Sequence, residues 1–157
     1  HKALHQRNLD EAALAVTQAH RAGAHFYWLA DGEGNTSAIE CTATSAHRED
    51  LSAGIYVHCN HCLVDEHIAR EPRPPSPSSA FRTERVNDLL SAQSGQHSLK
   101  TVKEALADEE GGDNAICRDD TLGISTNGAV VIAPERREIQ ACHGLPSRAT
   151  WKVLHQG

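Results

Sequence analysis

The run Ile55-Tyr56-Val57-His58-Cys59-Asn60-His61-Cys62 constrains this chain more than any other stretch of it. A short apolar, β-prone segment ends abruptly in five residues that can hydrogen-bond, ligate a metal or attack a carbonyl. A core does not need His-Cys-Asn-His-Cys in a row, whereas the end of a strand is where a rigid sheet presents side chains to a site. The spacing leaves two chemistries open: a catalytic strand end over residues 54–59, or a metal centre.

The surroundings narrow the fold. Residues 9–21 predict a helix: Asn8 can cap it, Asp10 and Glu11 complement its first turn, and Gly23 can stop it. Residues 25–30 and 37–42 predict two strands joined through Asp31-Gly32-Glu33-Gly34-Asn35, a β-hairpin. Four of the six prolines fall in residues 70–79, which predicts an extended, solvent-facing loop. Ser78 or Ser79 can then cap a helix to about residue 91, with Phe81, Arg85, Val86, Leu89 and Leu90 on one face. Ser98 opens another helix over 99–107. Residues 108–113 form an acidic loop. Residues 128–133 and 138–143 predict a second hairpin through a Pro134-Glu135-Arg136-Arg137 turn, ended by Gly144-Leu145-Pro146.

Strands pair locally and helices come grouped, which argues for α+β with an antiparallel sheet covered by helices. A Rossmann or barrel plan is disfavoured, and no Gly-rich phosphate loop occurs. With 157 residues the chain fits a single domain, residues 1–157. The net charge of −6 and scattered basic residues disfavour nucleic acid as a partner. No apolar run approaches the ~20 residues that cross a bilayer, so no membrane partner is expected. Five cysteines without framework spacing argue against a disulfide scaffold and favour a reducing, cytoplasmic setting.

An ordered set of residues then points to a family. Asp31-Gly32-x-Gly34 is followed by Glu40, His58-x-Asn60-His61, Ser78-Ser79-x-x-Arg82, Asp108, Cys117 and Gly144-x-Pro146. In this order, over about residues 9–154, the chain resembles the isopenicillin N acyltransferase-like (acyl-CoA:6-aminopenicillanic acid acyltransferase) family of N-terminal-nucleophile (Ntn) hydrolases. The resemblance implies a four-layer αββα sandwich and a precursor that cuts itself before a Cys. That Cys then serves as nucleophile and N-terminal amine, forming an acyl-enzyme on a small N-acyl amide or a thioester, acyl-CoA among the candidates. By the same match Asn60 is the catalytic oxyanion donor. Arg82, His58, His61 and Glu40 are the candidate substrate-binding residues.

The family's nucleophile precedes all these motifs, so none of Cys41, Cys59, Cys62, Cys117 or Cys142 occupies its place. The expectation is the C-terminal portion of a larger Ntn-type domain, inactive alone, whose partner is the nucleophile segment before residue 1. Self-association is also expected, and no cofactor or metal. Each residue also has a plainer reading. Asn60 can cap a strand end; His58 and His61 should point to opposite faces. Arg82 can brace the Asn60 loop or stay solvated, and Glu40 can be a simple ion-paired carboxylate. The rival reading is a zinc-stabilised binding module using His58, Cys59, His61 and Cys62, completed by Cys142 and His143. Adjacent ligands on an extended strand diverge, which makes that closure awkward. A non-catalytic domain of the same fold is the third reading.

Overall fold

The computed structural model describes residues 2–71, 73–92, 97–119 and 123–155. Pro72 of the expected proline loop and His1 lie outside the described residues. The chain is mixed helix and sheet, with two three-stranded antiparallel sheets among the described residues, and it divides into two compact units. Unit one is His1–Gly54 with Cys62–Pro74; unit two is Ile55–His61 with Pro75–Gly157.

Unit one is a helix on a sheet. Helix α1 (Leu9–Thr17) starts at Asn8, whose side chain accepts from the Glu11 N–H at 2.9 Å. It ends four residues before the expected stop at Arg21, for a visible reason. The Arg21 guanidinium donates to the carbonyls of Val16, Thr17 and Ala19, and to those of Thr42 and Ser45. One side chain thus adds donors to the carbonyls at the end of the helix and ties them to the turn after β2.

The expected hairpin forms between β1 (His25–Ala30) and β2 (Thr36–Cys41). Asp31 shapes its turn: Oδ1 accepts from the Glu33 and Asn35 N–H groups, Oδ2 from the Asn35 side chain, and Gly34 takes φ +89°. These hydrogen bonds hold the Asp31 carboxyl below its usual pKa, the Asn35 side chain contributing most. Strand β2 is central and buried on both faces, because β3 (Ala46–Leu51) pairs with its other edge. On one face Ile39 and Cys41 meet Ala13 and Val16 of α1, with Tyr27, Leu29 and Ala46 around them. Burying Val16 and Ile39 contributes about 1.5–3 kcal/mol each.

Two expectations need correction here. Strand β3 reads as polar, Ala-His-Arg-Glu-Asp-Leu, and was not anticipated. It is held by the ladder to β2 and by Arg48, which contacts Asp10 at 2.6 Å, Asp50 at 2.7 Å and Ser37 at 3.2 Å. Conversely, residues 54–59 carry the right composition for a strand yet join neither sheet ladder. Pairing, not propensity, makes a strand, and apolar composition alone does not supply a partner edge.

Unit two follows the sequence more closely. Helix α3 (Pro77–Ser91), after the short unit-one helix α2 (Asp65–Ile68), is capped by Ser76, with Pro77 in its first turn. The cap therefore lies two residues before the earliest expected serine. Helix α4 (Leu99–Leu106) is opened by Ser98 in a reciprocal capping box with Thr101. Strands β4 (Gly128–Ala133) and β5 (Glu138–His143) form the expected hairpin, and an unanticipated β6 (Lys152–His155) pairs with β5. Helix α4 packs on β4, where Val131 and Ala133 are buried, and Lys103 reaches Gln140 at 2.8 Å. Val130, Ile132, Ile139 and Leu154 are exposed instead.

Candidate functional site

Candidate site residues of unit two gather where α3 begins. The Ser76 cap accepts from the Ser79 N–H at 3.2 Å and sets the first helical turn, which places Ser79 fully buried. Ser79 Oγ lies 2.8 Å from the Asn60 backbone nitrogen and 2.8 Å from His61 Nδ1. The Asn60 N–H can only donate, so the serine oxygen accepts there. A buried hydroxyl on a helix thus fixes the backbone of the segment that carries Asn60.

One turn further along α3, Arg82 fixes the side chain. Its Nε donates to the Ser78 carbonyl at 3.1 Å, and its Nη2 donates to Asn60 Oδ1 at 2.7 Å. Arginine has no acceptor, so the atom facing it must be the amide oxygen. That settles the amide orientation and turns Nδ2 away, and among the described residues Nδ2 has no hydrogen-bond partner. The guanidinium also draws electrons toward Oδ1, which makes the Nδ2 protons better donors. Asn60 is exposed. Chemically this is an outward-facing, oriented neutral donor.

The other site candidates fall as follows. His61 joins Asn60 through Ser79. His58 is half-buried in the same unit. Glu40 does not join this group: it is 4% exposed, in unit one, with both carboxylate oxygens engaged. Oε2 accepts from Leu63 N–H at 2.6 Å, while Oε1 takes Val64 N–H at 3.2 Å and His67 Nδ1 at 2.7 Å. The carboxylate anchors the backbone at 63–64 and the ring of His67. Sequence reasoning missed His67 and its second partner Ser45, because no motif spacing links positions 40, 45 and 67.

The cysteines are free. Cys41, Cys117 and Cys142 are buried. Burial pushes the Cys62 thiol up to about 11, and the charges of Glu40 and Glu71 push it the same way. Burial likewise raises Cys41. Among the described residues no three His, Cys, Asp or Glu side chains converge to hold a metal ion, so the zinc reading finds no ligand set. Nor is any described helix long and apolar enough to cross a membrane.

Comparison with known proteins agrees with the ordered motifs. A family model described as acyl-coenzyme A:6-aminopenicillanic acid acyl-transferase matches residues 3–148. No curated protein matches the chain. The match takes in both hairpins, the Asn60 segment and α3 through α4, and by it the chain belongs to the acyl-coenzyme A:6-aminopenicillanic acid acyl-transferase family.

Proposed function

We propose that this chain supplies the oxyanion side of a cysteine Ntn acyltransferase or amidohydrolase acting on a small N-acyl amide or a thioester. Family membership implies acyltransferase-type activity. The observation that carries the finer reading is Arg82 Nη2 on Asn60 Oδ1, which leaves the amide protons of Asn60 facing outward. In the reaction a thiolate adds to the acyl carbonyl carbon, and the carbonyl oxygen takes the negative charge. Asn60 Nδ2–H donates to that oxygen, stabilising it without reorganising, because Arg82 and Ser79 already hold the residue. Collapse of the intermediate expels the amine or thiol, which leaves with a proton. Water or an amine then attacks the acyl-enzyme carbonyl past the same donor. Arg82 positions the donor, and His58 and His61 flank it along the chain.

The nucleophile in this reading is none of the five cysteines. Three are buried, and the raised Cys62 thiol lies in the wrong direction for a nucleophile working near neutrality. Cys59 lies within the His58-x-Asn60-His61 motif, which the family's nucleophile precedes. In this reading the nucleophile is a Cys at the N-terminus of an Ntn segment. Each unit is one sheet with helix on one face, and the β4–β6 sheet keeps an apolar opposite face. A sheet with helix on one face in each unit supports the αββα reading.

The test uses the enzyme with its nucleophile segment. Asn60→Ala should lower kcat about 10²–10³-fold with little change in KM. Asn60→Asp should be at least as harmful, since a carboxylate repels the oxyanion. A near-normal kcat for Asn60→Ala would remove Asn60 from the mechanism.

A further inference from the structure

Unit one holds a second constellation, separate in residues and chemistry from the Asn60 donor. Glu40 lies on the central strand β2, Ser45 closes the turn between β2 and β3, and His67 sits in α2. Ser45 Oγ is 3.0 Å from His67 Nε2, and His67 Nδ1 is 2.7 Å from Glu40 Oε1. His67 and Glu40 are 2% and 4% exposed, whereas Ser45 is half-buried on a turn whose Ala43 and Thr44 are exposed.

The proton positions follow from the partners. Glu40 receives two backbone N–H groups besides the imidazole, so it acts as an acceptor throughout and is a carboxylate. Nδ1 of His67 therefore carries its proton toward Glu40, and in the neutral ring Nε2 is an acceptor. The hydroxyl of Ser45 is then the donor to Nε2. Thr42 completes the line: its Oγ1 accepts from the Ser45 and Thr44 N–H groups at 3.0 and 3.3 Å. Its own hydroxyl thus points to Ser45 Oγ at 2.8 Å. The order Thr42, Ser45, His67, Glu40 is a directed chain that ends on a buried carboxylate. An inert buried histidine needs two partners of any kind. Here one partner is a hydroxyl at the protein surface and the other fixes the tautomer that can take its proton.

We propose that Ser45 is an activated nucleophile, with His67 as its base and Glu40 orienting the ring, and that it accepts acyl groups from short-chain activated esters. Ser45 Oγ bonds to the acyl carbon as its proton passes to His67 Nε2. The ester C–O bond breaks and the alcohol leaves with that proton. Water, deprotonated by His67, then releases the acid and restores Ser45. Arg70, ion-paired with Glu66 at 2.8 Å, places Nη1 3.5 Å from Thr44 Oγ1 beside the turn.

The experiment is labelling of the intact chain with a fluorophosphonate, and separately with p-nitrophenyl butyrate, mapped by peptide mass spectrometry. The expected result is a single adduct on Ser45, formed at least ~10²-fold faster than on the same chain in urea, the range a positioned general base contributes. Ser45→Ala, checked for a native circular dichroism spectrum, should abolish it. No adduct at Ser45, or one formed equally fast in urea, overturns the proposal; the wild-type map decides this even if the variant fails to fold. Neither result bears on Asn60, because neither assay uses the Ntn nucleophile.

Discussion

Arg82 Nη2 donates to Asn60 Oδ1 at 2.7 Å, across 22 residues of sequence and within one unit. The contact is a charge-assisted hydrogen bond to a neutral amide, and its effect is directional. It specifies which end of the amide faces outward, a choice that an unbraced asparagine on an exposed segment would make only on average.

Replacing Arg82 by Leu should therefore release the amide without removing it. In the enzyme carrying its nucleophile, kcat should fall about 10–10²-fold, less than for loss of the donor itself. KM should change little. If Arg82 instead binds a substrate carboxylate, KM rises and dominates. In the isolated chain, the Asn60 side-chain amide signals in a nitrogen-15 NMR spectrum should collapse toward those of a freely rotating asparagine.

Ser79 gives a prediction on stability. Its hydroxyl is fully buried and serves both the Asn60 N–H and His61 Nδ1. Ser79→Ala leaves both groups without that partner at a cost of about 1–3 kcal/mol. Chemical denaturation should show a lowered midpoint with an unchanged slope, and backbone exchange at Asn60 should accelerate. An unchanged midpoint and exchange rate would mean that water replaces the serine at no cost.

How far the sequence foretold these features depended on whether their causes were local. Asn8, Ser98 and the Asp31 turn act over three or four residues, so their helices and hairpin are readable from spacing alone. The β3 strand was hidden because its stability comes from β2 and from Arg48, whose partners Asp10 and Ser37 are distant in sequence. Residues 54–59 misled for the converse reason: β-propensity was present, but among the described residues the segment joins neither sheet. At the site, the His-x-Asn-His and Ser-Ser-x-x-Arg motifs named residues that the fold brings into contact. That Arg82 turns toward Asn60 required the first turn of α3 to be set by Ser76, one cap earlier than expected. The inward direction of Glu40 was illegible because His67 and the N–H groups at 63 and 64 are tertiary partners.

Gly111 tests packing near α3. It takes φ +102°, and an added Cβ would lie 2.6 Å from Cζ of Phe81. Gly112, at φ +56°, faces open space. Gly111→Ala combines backbone strain with overpacking and should destabilise by about 2–4 kcal/mol, whereas Gly112→Ala should cost about 1 kcal/mol. Thermal melts of the two variants side by side decide it. Equal losses would mean that the Phe81 ring moves aside freely.

Cys62 gives a pH prediction whose sign is fixed by its surroundings. Burial is the largest cause, the Glu40 and Glu71 carboxylates add to it, and the thiol is raised from 9.0 to about 11. All these causes oppose the anion. The reactive species is the thiolate, so at pH 8 Cys62 should alkylate on the order of a hundredfold more slowly than an ordinary cysteine. Its rate should climb until about pH 11. Because the folded value is the raised one, the neutral thiol's contribution to stability is complete below the ordinary value and declines as pH rises toward 11. Glu71 accepts from the Cys62 N–H at 3.4 Å, and Glu71→Gln removes one of the opposing charges. That variant should therefore alkylate faster at pH 8 than wild type. The measurement is iodoacetamide labelling at several pH values, with the Cys62 peptide followed by mass spectrometry. A wild-type rate at pH 8 matching that of an unfolded Cys62 peptide would show that the thiol is not shielded as these neighbours require.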